Sequence, residues 1–242
     1  MEGKSPARTR QERPVPGRRS KIFYRKRLTN VPARQTIVPG AGLGAAIASG
    51  PGQCMQGERS MSGKNILVIS SSPRRRGNSD LLADAFIEGA QEAGHTVEKI
   101  SLHDKRIGFC RGCLGCQKTQ RCILRDDMDD ILPRMQQAEV IVFASPVYFY
   151  SLCGQLKTLL DRTNPLFAGD YAFRDIYLLA SAADTDEKAM EGPKKALEGW
   201  VVCFEKARLC GVVQALGVTE AGDIRRTPAA LDAARDLGRG IR

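Results

Sequence analysis

Asn65-Ile66-Leu67-Val68-Ile69-Ser70, followed at once by Ser71-Ser72-Pro73-Arg74-Arg75-Arg76-Gly77-Asn78-Ser79, sets the architecture of this chain. Four apolar residues in a row, without alternation, suit a strand buried on both faces. The Ser/Pro/Gly run behind them ends the strand. Asn78 or Ser79 then caps a helix, in which Leu82, Ala85, Phe86, Ala90 and Ala93 recur at helical spacing until Gly94 stops it.

The same alternation continues to the end of the chain. Residues 97–102 read as a second strand, followed by a cysteine-rich loop and a short helix over 126–137. Residues 139–144, with Val140-Ile141-Val142-Phe143, form a third buried strand with a helix near 152–162. A fourth strand at 176–180 precedes a long helix over 186–207. A fifth at 209–218 precedes a last helix over 228–237. Five strands alternating with helices predict an α/β fold: a doubly wound, five-stranded parallel sheet in three α/β/α layers. Such a sheet binds ligands outside the carboxyl ends of its strands, so the chemistry is expected in the loops after strands one, three and four.

At 242 residues the chain is long enough for one medium α/β domain. Its charge of +10 is unevenly placed. Residues 1–60 carry 12 Lys and Arg against 3 Asp and Glu, a net +9, which leaves +1 for residues 61–242. A basic folded face for nucleic acid is therefore not expected. Residues 1–60 read as a basic leader punctuated by Pro, Gly and Arg, whether a disordered or upstream extension, a solvated arm or a transit peptide. Met61 offers a natural start for a second segment, 61–242. No stretch is long and apolar enough to predict a membrane span. Eight cysteines without a secretory signal predict a reducing, cytoplasmic compartment with metal or redox chemistry. Of these, Cys54, Cys153, Cys203 and Cys210 are scattered and read as small hydrophobes or bystanders.

Three loops carry candidate chemistry. After strand one, hydroxyls, an Arg and the first amides of a helix converge as a phosphate dianion requires. The order of residues is neither Gly-x4-Gly-Lys-Ser/Thr nor Gly-x-Gly-x-x-Gly, and an ordinary capped helix is the plainer alternative. After strand three, Ala144-Ser145-Pro146-Val147-Tyr148-Phe149-Tyr150-Ser151 offers a flat apolar wall with exposed amides. The alternative there is a turn buried against a subunit. Between strand two and its helix, Cys110-x2-Cys113-x2-Cys116-x5-Cys122 follows no helical or strand face, and Gly112 and Gly115 precede two of the thiols. An iron–sulfur centre, a zinc ion and free redox-active thiols all remain open for this run. Arg111, Lys118, Arg121 and Arg125 surround it. His95 and His103 are isolated and receive no role.

Ser72-Pro73-Arg74-x2-Gly77-Asn78-Ser79 resembles the flavin-phosphate loop of the NADPH-dependent FMN reductase branch of flavodoxin-like proteins, with Ser71 where that family usually has Gly. The resemblance extends over about residues 64–240. It implies a flavodoxin-like fold, with Ser72, Arg74, Asn78 and Ser79 at the FMN phosphate. Pro-Val-Tyr, then Gly-Gln-Leu-Lys and Asp161-Arg162, is similar to the family's flavin-ring motif. By that likeness Pro146, Val147, Tyr148 and Phe149 flank the ring, Ser151 is nearby, and residues 181–184 close the pocket. The thiol spacing resembles that of the iron–sulfur flavoproteins, whose four cysteines hold a [4Fe–4S] cluster; Cys110, Cys113, Cys116 and Cys122 stand at the matching positions. The implied function is an FMN-dependent NAD(P)H oxidoreductase. Hydride passes from NADPH or NADH to the flavin, and electrons go on to a quinone, a flavin, another small molecule or a protein. No side chain is needed as acid or base. A non-catalytic electron-transfer flavoprotein is the alternative, and the family implies a homodimer or homotetramer.

Overall fold

A computed structural model describes residues 63–167 and 169–242. The basic leader and Cys54 lie outside the described residues. The first strand, β1 (Asn65–Ser70), matches its predicted limits, and α1 (Asn78–Glu92) follows it. Then come β2 (Thr96–Ser101), a short α2 (Cys116–Thr119) and α3 (Met128–Gln137). The central strand β3 (Val140–Tyr148) turns tightly into β4 (Ser151–Leu152), which leads into α4 (Gly154–Asp161) and α5 (Asn164–Phe167). The chain closes with β5 (Asp175–Ser181), α6 (Glu191–Val201), β6 (Arg208–Ala215) and α7 (Pro228–Arg239).

Five of the strands are parallel, in the order β2-β1-β3-β5-β6, and β4 pairs antiparallel with the end of β3. Successive side chains on a strand point to opposite faces, and this divides the apolar runs between two cores. Leu67, Ile69, Ile141, Phe143, Ile176 and Leu178 pack with α3 to α6. Ile66, Val68, Val140, Val142, Tyr177 and Leu179 pack with α1 and α7. Covering both faces explains why the strands lack an apolar/polar alternation.

The order of strands places the switch point between β1 and β3, where connections leave in opposite directions. Ser70 pairs with Ala144 across that junction, and Pro146 pairs with Ser181 on the other side of β3. The loops after β1, β3 and β5 therefore open side by side at one edge of the sheet.

Three predicted limits are corrected. The third strand does not stop at residue 144 but continues to Tyr148, because it forms a hairpin with β4. Leu152, expected at a helix start, lies in β4. The helix expected over 186–207 begins as a 3-10 turn at Glu187–Met190 and ends at Val201, after which Phe204 folds back into the core.

Candidate functional site

Ser71 fastens the first loop to β3. Its amide and hydroxyl both donate to the carbonyl of Ala144, at 2.9 and 2.8 Å. The neighbouring strand thus absorbs the hydroxyl that stands where the family usually has Gly. Next, the Ser72 hydroxyl donates to the Arg74 carbonyl at 2.8 Å, closing a tight turn. Gly77 completes the cradle: a Cβ there would stand 2.5 Å from Ser72 Oγ. The loop can double back onto Ser72 only because that atom is missing.

Gly77 takes the N-cap position of α1, in place of the predicted Asn78 or Ser79, and no side chain caps the helix. Asn78 is occupied elsewhere. Its Nδ2 donates to the Glu220 carbonyl at 2.9 Å, and its Oδ1 accepts from the amides of Gly222 and Ile224 at 3.1 and 3.2 Å. Arg74 reaches the same distant loop, donating to the Thr219 carbonyl at 3.0 Å. By contrast, Ser79 Oγ is buried with no partner. A buried hydroxyl left unpaired is costly, and this one lies in the uncapped first turn of a helix, where the dipole favours an anion. Burial pushes the Asp80 carboxyl up, but Lys99 at 2.7 Å and the Ser70 hydroxyl at 2.6 Å outweigh it and hold it below its ordinary value. Lys99 compensates that carboxylate beside an anion-seeking helix end.

The second loop is the β3–β4 hairpin. Phe149 and Tyr150, at φ of 48° and 57°, form its two-residue turn. Both are left-handed, as a type I′ turn requires, where Asn-Gly would be unstrained and bulky residues are costly. Phe149 is fully exposed, and Tyr148 and Tyr150 are about half exposed. The turn is held from outside. The Tyr150 hydroxyl donates to Asp184 at 2.7 Å, and the Tyr150 carbonyl presses on Gly192, where a Cβ would lie 1.8 Å away. Asp184 belongs to the loop after β5, so the predicted closing segment meets the aromatic wall. Ser151 is exposed and pairs with Tyr148. Beneath the hairpin Cys153 is fully buried, its thiol 3.1 Å from Ser71 Oγ.

The third loop gathers the four thiols. Cys110, Cys113, Cys116 and Cys122 line one bowl with Leu114, Arg162 and Asn164, enclosing about 410 Å³ together with its open mouth. Positive φ angles at Gly112, Leu114 and Gln120 curl the backbone round it. Among the described residues no three His, Cys, Asp or Glu converge closely enough to hold a single metal ion. The thiols surround a space and do not meet at a point. The Gly112 amide donates to Cys110 Sγ at 3.5 Å, and Asn164 Nδ2 lies 3.9 Å from the same sulfur. Burial, then the other three sulfurs, push the Cys116 thiol up.

Asp126 fastens this loop to the body. It accepts from the amides of Gly108 and Met128 at 2.9 and 3.1 Å and pairs with Arg162 at 2.6 Å. Burial raises its carboxyl, but Arg162 and the two amides more than offset this and leave it below the ordinary value. A depressed carboxylate contributes stability that is full above its unfolded value of about 3.9 and is lost as pH falls through its folded value. Asp126→Asn should therefore be less stable than wild type at pH 7, with the gap closing below about pH 4 in thermal melts. A gap independent of pH would remove the charge from this account.

Sequence reading located all three loops, and the structure brings the first two together. Arg162, which ends the segment similar to the flavin-ring motif, stands at the thiol bowl, at the far end of α4 from Cys153. Eight residues of helix put about 12 Å between those ends. Asn164 and Gly192 carried no functional signal, because each acts through a contact between remote segments.

This strand order with its ligand edge is a flavodoxin-like fold. Its solved likenesses include an NAD(P)H:quinone oxidoreductase from Methanothermobacter marburgensis, with a TM-score of 0.60 at 21% identity, covering 75% of this chain and all of that one. An azoreductase from Bacillus anthracis gives 0.57 at 16%, covering 74% of this chain and all of that one. At such identities the likeness is one of fold. The family is shown by sequence: residues 64–198 match the profile of the NADPH-dependent FMN reductases, and the chain belongs to that family. Among curated relatives, an iron–sulfur flavoprotein of Methanocaldococcus jannaschii is 42% identical over 104 residues, 43% of this chain and 54% of that protein. Another from Archaeoglobus fulgidus is 36% identical over 97 residues, 40% of this chain and 44% of that protein. The chain spans about half the length of the curated relatives it matches. Among the described residues, no helix is long and apolar enough to cross a membrane.

Proposed function

We propose that this chain is an FMN-dependent NAD(P)H oxidoreductase, with a [4Fe–4S] cluster in its thiol bowl as a second redox centre. The observation that carries the flavin reading is Ser79: a buried, unpartnered hydroxyl in an uncapped helix turn, at the switch point of a doubly wound sheet. The residues fit the group. Ser72, Ser79 and the first-turn amides of Asn78 and Ser79 would hold the phosphate, with Arg74 supplying charge. The side chain of Asn78 acts one step back, tying the loop to the segment before α7. Pro146, Val147, Tyr148 and Phe149 would flank the ring, and Ser151 would lie at its edge.

FMN held there would supply the hydride-accepting and electron-transfer chemistry, singly or in pairs, and the chain would orient the reactants. The strained hairpin keeps an aromatic wall fixed in the open, where a nicotinamide and then a small-molecule or protein acceptor can stack. No acid or base is required of a side chain. The thiols fit a cubane because they surround a bowl, one for each iron corner, with N–H groups aimed at Cys110. We place the protein in the cytoplasm as a homodimer or homotetramer, with the hairpin as a contact. Nucleic acid is not a partner on this reading, since the segment after residue 60 is nearly neutral.

Mixing the FMN-loaded chain with NADPH or NADH without oxygen tests the reaction. Rapid bleaching of the flavin is expected. Failure with both would leave an electron carrier in place of a reductase. Ser79→Ala tests the phosphate site. One hydrogen bond to a charged group contributes about 1.5–3 kcal/mol, so FMN should bind roughly 10- to 100-fold more weakly. Riboflavin, which lacks the phosphate, should bind unchanged. Equal losses for both ligands would count against the assignment.

A further inference from the structure

Arg162 is a buried cation in the wall of the thiol bowl. Its side chain is 0% exposed. Nη1 donates to Asp126 Oδ2 and to the Gly108 carbonyl, both at 2.6 Å, and Nη2 donates to Asp126 Oδ1 at 3.0 Å. Its Nε is buried without a partner. Cys122 lines the same bowl as this guanidinium. The four cations nearest in sequence to the thiols, Arg111, Lys118, Arg121 and Arg125, are all exposed, so water and salt screen them. Arg162 is not screened in that way.

Its position is set from behind. The next residue, Thr163, donates its hydroxyl to the Leu160 carbonyl at 2.7 Å and accepts from Trp200 Nε1 at 2.8 Å. A planar fork satisfies a carboxylate and a carbonyl at once, which an ammonium cannot do in the same geometry. Asp126 lies behind the fork, bonded also to the Gly108 and Met128 amides. The pair is neutral as a whole, but Arg162 lines the bowl with the four sulfurs and Asp126 does not.

We infer that Arg162 is a positioning residue for the thiolate-bound centre, its fixed charge at the Cys122 wall favouring the reduced form. The inference rests on the cluster reading above. Reduction adds one electron, drawn from reduced FMN, and no proton, so the negative charge of the centre grows by one. A nearby cation stabilises that product more than the oxidised form. At an effective dielectric constant of about 20, one unit charge within about 10 Å changes such an equilibrium at least tenfold.

The test uses the full chain, loaded anaerobically with ferrous iron and sulfide, as wild type, R162Q, R162K and D126N. Iron and sulfide per chain are measured first. Reduction by dithionite with mediators is then followed by visible absorbance. R162Q should lower the equilibrium constant for one-electron reduction about tenfold, which is about 59 mV. R162K, which keeps the charge, should stay within about threefold of wild type. D126N, which bares the guanidinium, should shift the constant upward. Opposite signs in R162Q and D126N separate electrostatic tuning from mere loss of structure. No shift, or shifts in the same direction, overturns the inference while the cluster stands. A wild-type chain without iron overturns the cluster reading and the inference with it. If R162Q does not fold, D126N decides: a rise supports the inference, and no change or a fall overturns it.

Discussion

Cys116→Ala is expected to empty the thiol bowl of iron while leaving FMN in place. A [4Fe–4S] centre uses one thiolate at each iron corner, and Cys116 opens α2 among the other three sulfurs. Removing it leaves one corner without a ligand, at a thiol less exposed than those of Cys110 and Cys113. Iron per chain should fall from near four to near zero. The flavin should stay, since its loops lie at the other end of α4, about 12 Å of helix away. Bleaching by NADPH should persist, and the absorbance of the cluster should be lost. Metal and FMN analysis of the same preparation reads both outcomes. One zinc per chain in the wild type, or iron unchanged in the variant, would defeat the assignment.

Gly192→Ala is the second large effect, and here two principles compete. A glycine in a helix costs about 1 kcal/mol relative to alanine, so propensity alone predicts a gain. The contact opposes it: the new methyl would lie 1.8 Å from the Tyr150 carbonyl oxygen and 3.0 Å from its carbon. That partner is backbone, held in a hairpin that is already strained, so it cannot swing aside as a flexible side chain would. Overpacking of this kind typically costs about 1–3 kcal/mol and moves backbone, which outweighs the propensity gain at its upper end. The melting temperature should drop by roughly 4–8 °C for a domain of this size. FMN affinity should fall with it, as the aromatic wall shifts. Gly199 in the same helix is the control, because a Cβ there meets nothing within 4 Å. Gly199→Ala should gain the propensity term and leave FMN binding alone. Stabilisation in both variants would show that the hairpin yields freely.

What was legible beforehand followed from local chemistry. The apolar runs at 66–69 and 140–143 suit strands buried on both faces, and the polar loop after the first ends it at the observed residue. The hairpin was not legible. Its turn is Phe149-Tyr150, with no Gly, Asn or Asp to announce a left-handed pair, and Leu152 fits a helix start equally well by spacing. Asn78 was visible as a polar residue at a helix start, but not as a staple to a loop more than 140 positions later.

The sequence by itself determined the alternation of strands and helices, the family, and which loops carry the hydroxyls, the aromatics and the thiols. Only the tertiary structure decided that Ser79 is left without a partner while Asn78 is bonded, that Gly192 bears on the hairpin, and that Arg162 lines the thiol bowl. Periodicity and motif spacing act over a few residues along the chain. A hydrogen bond, an overlap or a buried charge depends on which distant segments the sheet order brings together.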